Sequence, residues 1–347
     1  MDTTVLTIVA NHQRLLRERL RLFLQPLHPD LQKDVIAALE SPGKLLAPSR
    51  WKIEHEGKGS DVPSGIWSIL TVVIAQLVAP DIDLLFASSV ALSVECCICA
   101  GDLLDDVEDE DRTDIVQQLG AARTLNVSTA LLVLSQEILF SLVDQGVPGD
   151  RVLALSRIMQ DTLLIATAGQ HRDLLAEQSA FDTYTLERCI DITAMKSGAL
   201  MSLPFHLGAL CAGADEQMCR KFAELGRLLG IAAQLDNDCR DLYYTCHERF
   251  APIDLSGGGA STKAAYTDLA RRKKTLPIVL AMQADTSSRP ATHNDGQAIG
   301  IDIHAINEGI VAAHGICLLY QERVHDCLQE IAIQYPPSPV LRLLLQL

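Results

Sequence analysis

The chain has 347 residues, 48% of them hydrophobic, and a formal net charge of -15 at pH 7. That length and apolar content suffice for one large domain or two ordinary ones. So much acid disfavours attachment to nucleic acid or to an anionic membrane, yet leaves an anionic ligand open, because bound metal ions invert a local field.

Helical periodicity dominates the chain. Leu15, Leu16, Leu20, Leu22 and Phe23 fit an amphipathic first helix, and residues 31–39 a second, broken by Pro42-Gly43. Residues 66–78 read as a buried helix stopped at Pro80, and a longer one runs from about Asp81 through an apolar run into acid. Helices follow over 124–143, 151–175 with Asp150 as cap, 183–203, 215–239 and 275–284, and more beyond a loop at 287–300. Ser256 to Gly259 reads as a flexible loop. No segment alternates with period two, so the predicted class is all-α, a single helical domain over 1–347.

Of the ten cysteines, Cys96, Cys97 and Cys99 crowd one apolar segment and the rest are scattered. That is no disulfide framework, and it predicts buried thiols in a reducing compartment, with Cys96 and Cys99 as core residues rather than zinc ligands. The N-terminus lacks a signal-peptide core, and the stretch 66–79 is shorter than the about 20 residues that cross a bilayer. A cytoplasmic protein with no transmembrane segment is the expectation.

Seven of the eleven residues from Gly101 to Asp111 are carboxylates, and they follow directly on the apolar run 84–100. Acid packed so densely beside a buried helix is unfavourable without positive charge among it. A hard divalent cation, Mg²⁺ bound to a phosphorylated substrate, is the natural partner; a solvated acidic helix end is the alternative. A second cluster, Gln234 to Asp241, again ends an apolar helix. Asp105 and Asp109 are i,i+4 and Asp238 and Asp241 i,i+3, so each pair shares a helix face and two such ends are able to hold metal ions between them. Lys196 lies in an apolar helical stretch, and Lys273 and Lys274 precede Thr275-Leu276-Pro277. Ammonium groups and Mg²⁺ together suit a diphosphate.

These residues carry a resemblance to the trans-isoprenyl diphosphate synthase family. Asp105-Asp106-Val107-Glu108-Asp109 resembles its first aspartate motif, DDxxD. Gly169-Gln170-His171-Arg172-Asp173-Leu174 resembles its GQxxDL segment, and Lys196-Ser197 its Lys-Thr pair. Gln234 to Asp241 resembles the second aspartate motif, with Asn237 where Asp is expected. Asp268-Leu269 with Lys273 to Pro277 resembles DLxxxKxTLP. The resemblance implies the class I isoprenoid synthase fold, a helical bundle around a deep central cavity, and a homodimer. It implies three Mg²⁺ ions on Asp105, Asp106, Asp109, Asp238 and Asp241, with Lys44, Arg112, Gln170, Lys196, Gln234 and Lys273 binding substrate. Asp105, Asp106, Lys196 and Asp238 are the implied catalytic set. His171 is expected to cap a polar network rather than contact diphosphate. Small residues at Ala100 and Gly101 imply room for a C15 or C20 prenyl chain, although close helix packing uses small residues too.

The departures concern the second substrate. The family's basic GKxxRP-type segment, which grips isopentenyl diphosphate, reads Gly43-Lys44-Leu45-Leu46-Ala47-Pro48, and Ile98 stands where a histidine is common. Arg112 is the only arginine near the first motif. Leucine and alanine cannot replace arginine's bidentate fork, and each lost charge-assisted contact removes roughly 1.5–3 kcal/mol. The expectation is an enzyme that ionises an allylic prenyl diphosphate and hands the prenyl group to a different acceptor, a peptide or small molecule. Cyclisation of the cation is the alternative, though aromatic residues make up only 4% of the chain and Asp241 and Thr245 break the cyclase pattern NDxxSxxxE. Ordinary chain elongation and a non-catalytic regulatory subunit are lesser readings.

Overall fold

The computed structural model describes residues 3–47, 64–179, 184–248, 271, 273–284 and 302–344. Pro48, Asp268, Leu269 and the loops at 256–259 and 287–300 lie outside them. Among the described residues every regular element is helical. In chain order these are α1 Thr3–Leu24, α2 Pro29–Leu39, α3 Ile66–Val78, α4 Leu84–Glu108, α5 Asp114–Leu119, α6 Ala121–Asp144 and α7 Gly149–Glu177. Then come α8 Leu186–Thr193, a π-helical turn Ala194–Gly198, α9 Ala199–Cys211, α10 Glu216–Glu248, α11 Leu276–Ala284, α12 Ile303–Ala332 and α13 Pro339–Leu344. The chain divides into two compact units. One comprises Met1–Asp161, Ser202–Glu224 and Leu328–Leu347, the other Thr162–Met201 and Leu225–Cys327.

The first unit is built around α4. Asp83 caps it, its carboxylate accepting from Leu85 N at 2.8 Å. From Phe86 to Ala100 every residue is buried, so this helix is enclosed on all sides by α1, α3 and α6. Small side chains allow the close approach, and buried hydroxyls bridge the helices: Ser93 Oγ donates to Ser135 O at 2.5 Å and Ser128 Oγ to Ala100 O at 2.8 Å. Ala100 therefore serves helix packing. In α1 the inward stripe is Leu16, Leu20 and Leu24, whereas Leu22 is 60% exposed, contrary to the expected face.

Among the described residues, four helices (α4, α6, α7 and α12) are long and apolar enough to cross a membrane by length and composition. In α4, 83% of that apolar window is buried inside the protein. All ten cysteines are free thiols, nine of them buried, as expected.

The helix expected over 183–203 is three elements. It begins at Leu186 behind the cap Thr185, whose hydroxyl accepts from Arg188 N at 3.3 Å, widens into the π turn, and continues past Pro204 to Cys211. A helical pattern that long absorbs a proline when packing holds it; Gly208 lies against the Thr71 carbonyl and Ile74 of α3. In the second unit, two glycines admit the π turn. An added Cβ at Gly169 would stand 2.8 Å from Met195 Cβ and 2.9 Å from Lys196 N, and one at Gly230 would run into the Ser197 carbonyl oxygen. Gly230→Ala is expected to lower unfolding free energy by about 1–3 kcal/mol through overpacking, read from the denaturant midpoint; an unchanged midpoint would contradict this contact.

Candidate functional site

In the first unit the acidic stretch ends α4. Asp105 and Asp106 are half-buried, while Asp109 is 3% exposed and closes the helix, its N–H donating to Asp105 O at 2.8 Å. Glu110 then takes a left-handed φ of 54°, a strained conformation for glutamate, and turns the chain so that Asp111 N reaches Asp106 O at 2.8 Å. Thr113 Oγ1 donates to Asp106 Oδ2 at 2.9 Å. Carboxylates at a helix C-terminus also oppose the backbone dipole. Burial, against the Thr113 hydrogen bond and with Asp102, Asp111 and Asp105 nearby, pushes the Asp106 carboxyl up to about 6. Arg112 is exposed and offers its carbonyl to Gln117.

Lys44 meets the same helix one turn earlier, paired with Asp102. Burial disfavours its charge, but Asp102, and after it Cys99 and Glu95, raise its pKa above the ordinary lysine value. Glu95 is fully buried. It accepts from Leu45 N at 2.8 Å, Ser68 Oγ at 2.9 Å and Ser68 N at 3.3 Å, which holds the Lys44 loop against α3 and α4. The sequence reading missed both Asp102 and Glu95 as partners of Lys44. Glu95 was findable as a lone acid inside the apolar run 84–100.

In the second unit the π turn carries Lys196, whose Nζ pairs with Asp173 Oδ2 at 2.9 Å; each side chain is 19% exposed. Asp173, also missed as a site residue, lies in the GQxxDL-like segment on α7. Ser197 Oγ donates to Gln234 Oε1 at 2.8 Å, and Gln234 Nε2 donates to Asp238 Oδ1 at 2.8 Å. Gln234, Asp238 and Asp241 thus share one face of α10. Asp236 and Asn237 turn away to Arg240, at 2.6 and 3.0 Å. Gln170 and Lys274 are buried, Lys273 half-buried, and His171 exposed rather than inside a network. Burial pushes the Cys189 thiol up to about 12, with Asp238 and Asp173 adding and Lys274 opposing, which places these charges around it.

Among the described residues no three His, Cys, Asp or Glu side chains converge closely enough to hold a metal ion.

Comparison with known proteins adds three findings. The family model described as polyprenyl synthetase matches residues 65–298. Tryptophan prenyltransferase ComQ of Bacillus subtilis subsp. natto is 31% identical over 161 residues, 46% of this chain and 47% of that protein. The (2E,6E)-farnesyl diphosphate synthase of Mycobacterium tuberculosis H37Rv is 30% identical over 240 residues, 68% and 56%. The chain spans about half the length of these curated relatives. Among solved structures, geranylgeranyl pyrophosphate synthetase from Geoglobus acetivorans gives a TM-score of 0.69 at 17% identity, covering 100% of this chain and 97% of that one. A polyprenyl synthetase from Streptomyces coelicolor A3(2) gives 0.66 at 21%, covering 98% and 97%. These likenesses bear out the all-α fold.

Asp106 is held above its ordinary pKa, so the folded chain binds its proton more tightly than the unfolded one, and the stability this confers is full below about pH 4. It is lost as pH rises through about 6. In chelator, Asp106→Asn is expected to flatten this part of the unfolding profile; matching wild-type and variant profiles would refute the assignment.

Proposed function

Since this chain belongs to the polyprenyl synthetase family, we propose that it is a prenyltransferase. It draws diphosphate from an allylic prenyl diphosphate, of C15 or C20 length, and passes the prenyl group to an acceptor other than isopentenyl diphosphate. The observation that carries this reading is an asymmetry. The acidic motifs keep their carboxylates and Lys196, whereas the basic segment keeps one ammonium, Lys44, with leucine and alanine where arginines are expected. Similarity to a tryptophan prenyltransferase fits an acceptor other than isopentenyl diphosphate, such as a tryptophan side chain.

The donor set suits Mg²⁺. Asp105, Asp106 and Asp109, and likewise Asp238 and Asp241, offer only hard carboxylate oxygens. Bound there, such ions supply positive charge to the diphosphate oxygens as the C–O bond breaks. The chain's own groups do the rest. Asp173 holds the Lys196 ammonium in place, and the Ser197–Gln234–Asp238 hydrogen bonds fix the Asp238 carboxylate. Ile192, Ile231 and Leu235, all buried in the same unit, keep the surroundings apolar.

A homodimer is part of the proposal. Leu125, Val133, Phe140 and Val143 are exposed along one side of α6, Val133 at 64%, and a second copy would cover them. Light scattering is expected to give twice the chain mass, and Val133→Asp to halve it; a monomeric wild type would refute this part.

Incubation with C10, C15 and C20 allylic diphosphates, with and without isopentenyl diphosphate or a tryptophan-containing peptide, tests the activity. Peptide-dependent diphosphate release is expected. Hydrocarbon without any acceptor would instead identify a cyclase, and longer diphosphates an elongating synthase. Asp105→Ala is expected to slow release by about 10²–10³-fold with the fold intact; retained turnover would sink the metal assignment.

A further inference from the structure

Lys44 is held from several sides. Its loop is tied down by Arg17, whose Nε donates to Leu45 O at 2.7 Å and whose guanidinium donates to Ala47 O at 2.8 Å. Glu95 takes the Leu45 N–H, and Gly65 N donates to Gly43 O at 2.9 Å. Gly43 and Gly65 accept φ values of 81° and 74° that side chains resist, and a Cβ at Gly65 would clash with Leu45. An ammonium on so fixed a loop has little freedom to withdraw. It meets α4 on the face formed by Glu95, Cys99, Asp102 and Asp106, immediately before the acidic motif.

Left unopposed, that ammonium would be an anion site. Asp102 opposes it with a direct ion pair. The Lys44 side chain is 11% exposed and that of Asp102 45%, so the lysine lies within and the carboxylate stands toward solvent in front of it. A second phosphate group arriving here would have to displace Asp102 and would meet its negative charge on approach.

We propose that Asp102 is a specificity-determining residue: by pairing with Lys44 it closes this ammonium to phosphate groups and restricts the acceptor to a molecule without a diphosphate. This rests on the prenyltransferase reading above for its meaning, but its test needs no turnover. Inorganic pyrophosphate and, separately, isopentenyl diphosphate are titrated calorimetrically into the full chain in chelator, so that metal-mediated binding is absent. Wild type, D102N, D102S and the double variants K44M/D102N and K44M/D102S are compared. Asp102 is half-exposed, so its replacement leaves no cavity, and D102S serves if D102N unfolds in a thermal scan.

The expected result is a rise in affinity of roughly tenfold or more in D102N and D102S, lost again when Lys44 is also replaced. Equal affinity in wild type and Asp102 variants would overturn the proposal, as would a gain that survives Lys44→Met. Diphosphate release from an allylic substrate, measured in parallel with Mg²⁺, reports on the prenyltransferase reading independently.

Discussion

The structure depends on one unfavourable arrangement: seven carboxylates gathered where a buried helix ends. Helix α4 is buried all round from Phe86 to Ala100, so its position is set by packing on every side and it cannot move to relieve the charge it carries. Its C-terminal backbone dipole adds to the repulsion. Thr113 donates to Asp106, Lys44 pairs with Asp102, and Glu110 takes a strained turn that leads the chain away. What remains is a rigid platform of negative charge.

The second unit solves a similar problem by different means. Its lysine sits on a π turn, where the wider backbone places a side chain differently from a regular helix. That turn exists between two glycines, Gly169 and Gly230, where any side chain would collide with it. The hydrogen-bonded series Ser197, Gln234, Asp238 then fixes one carboxylate while Asp236 and Asn237 face away to Arg240.

Both units make polar groups specific by satisfying them inside the fold. Glu95 holds the Lys44 loop and Asp173 holds Lys196, and neither acid belongs to the acidic clusters at 105–109 and 234–241. Buried polar contacts of this kind are expensive when incomplete, so each orients its partner strongly.

The helical class, the order of the helices and the acidic motifs were legible in the sequence, because period, breakers and charge density are local properties. Residues 66–78 and the end of the apolar run into acid fell where expected. The break of 183–203 into helix, π turn and helix was not legible, since it depends on glycines 25 or more residues away in the chain. Nor was the exposure of Leu22, because its apolar character says nothing of which side the neighbouring helices occupy. Above all, Lys44 read as a residual anion-binding ammonium from its motif alone. Only the packing of its loop against α4 put Asp102 opposite it, 58 residues on, because the charge a side chain meets is decided by what the fold brings across from it.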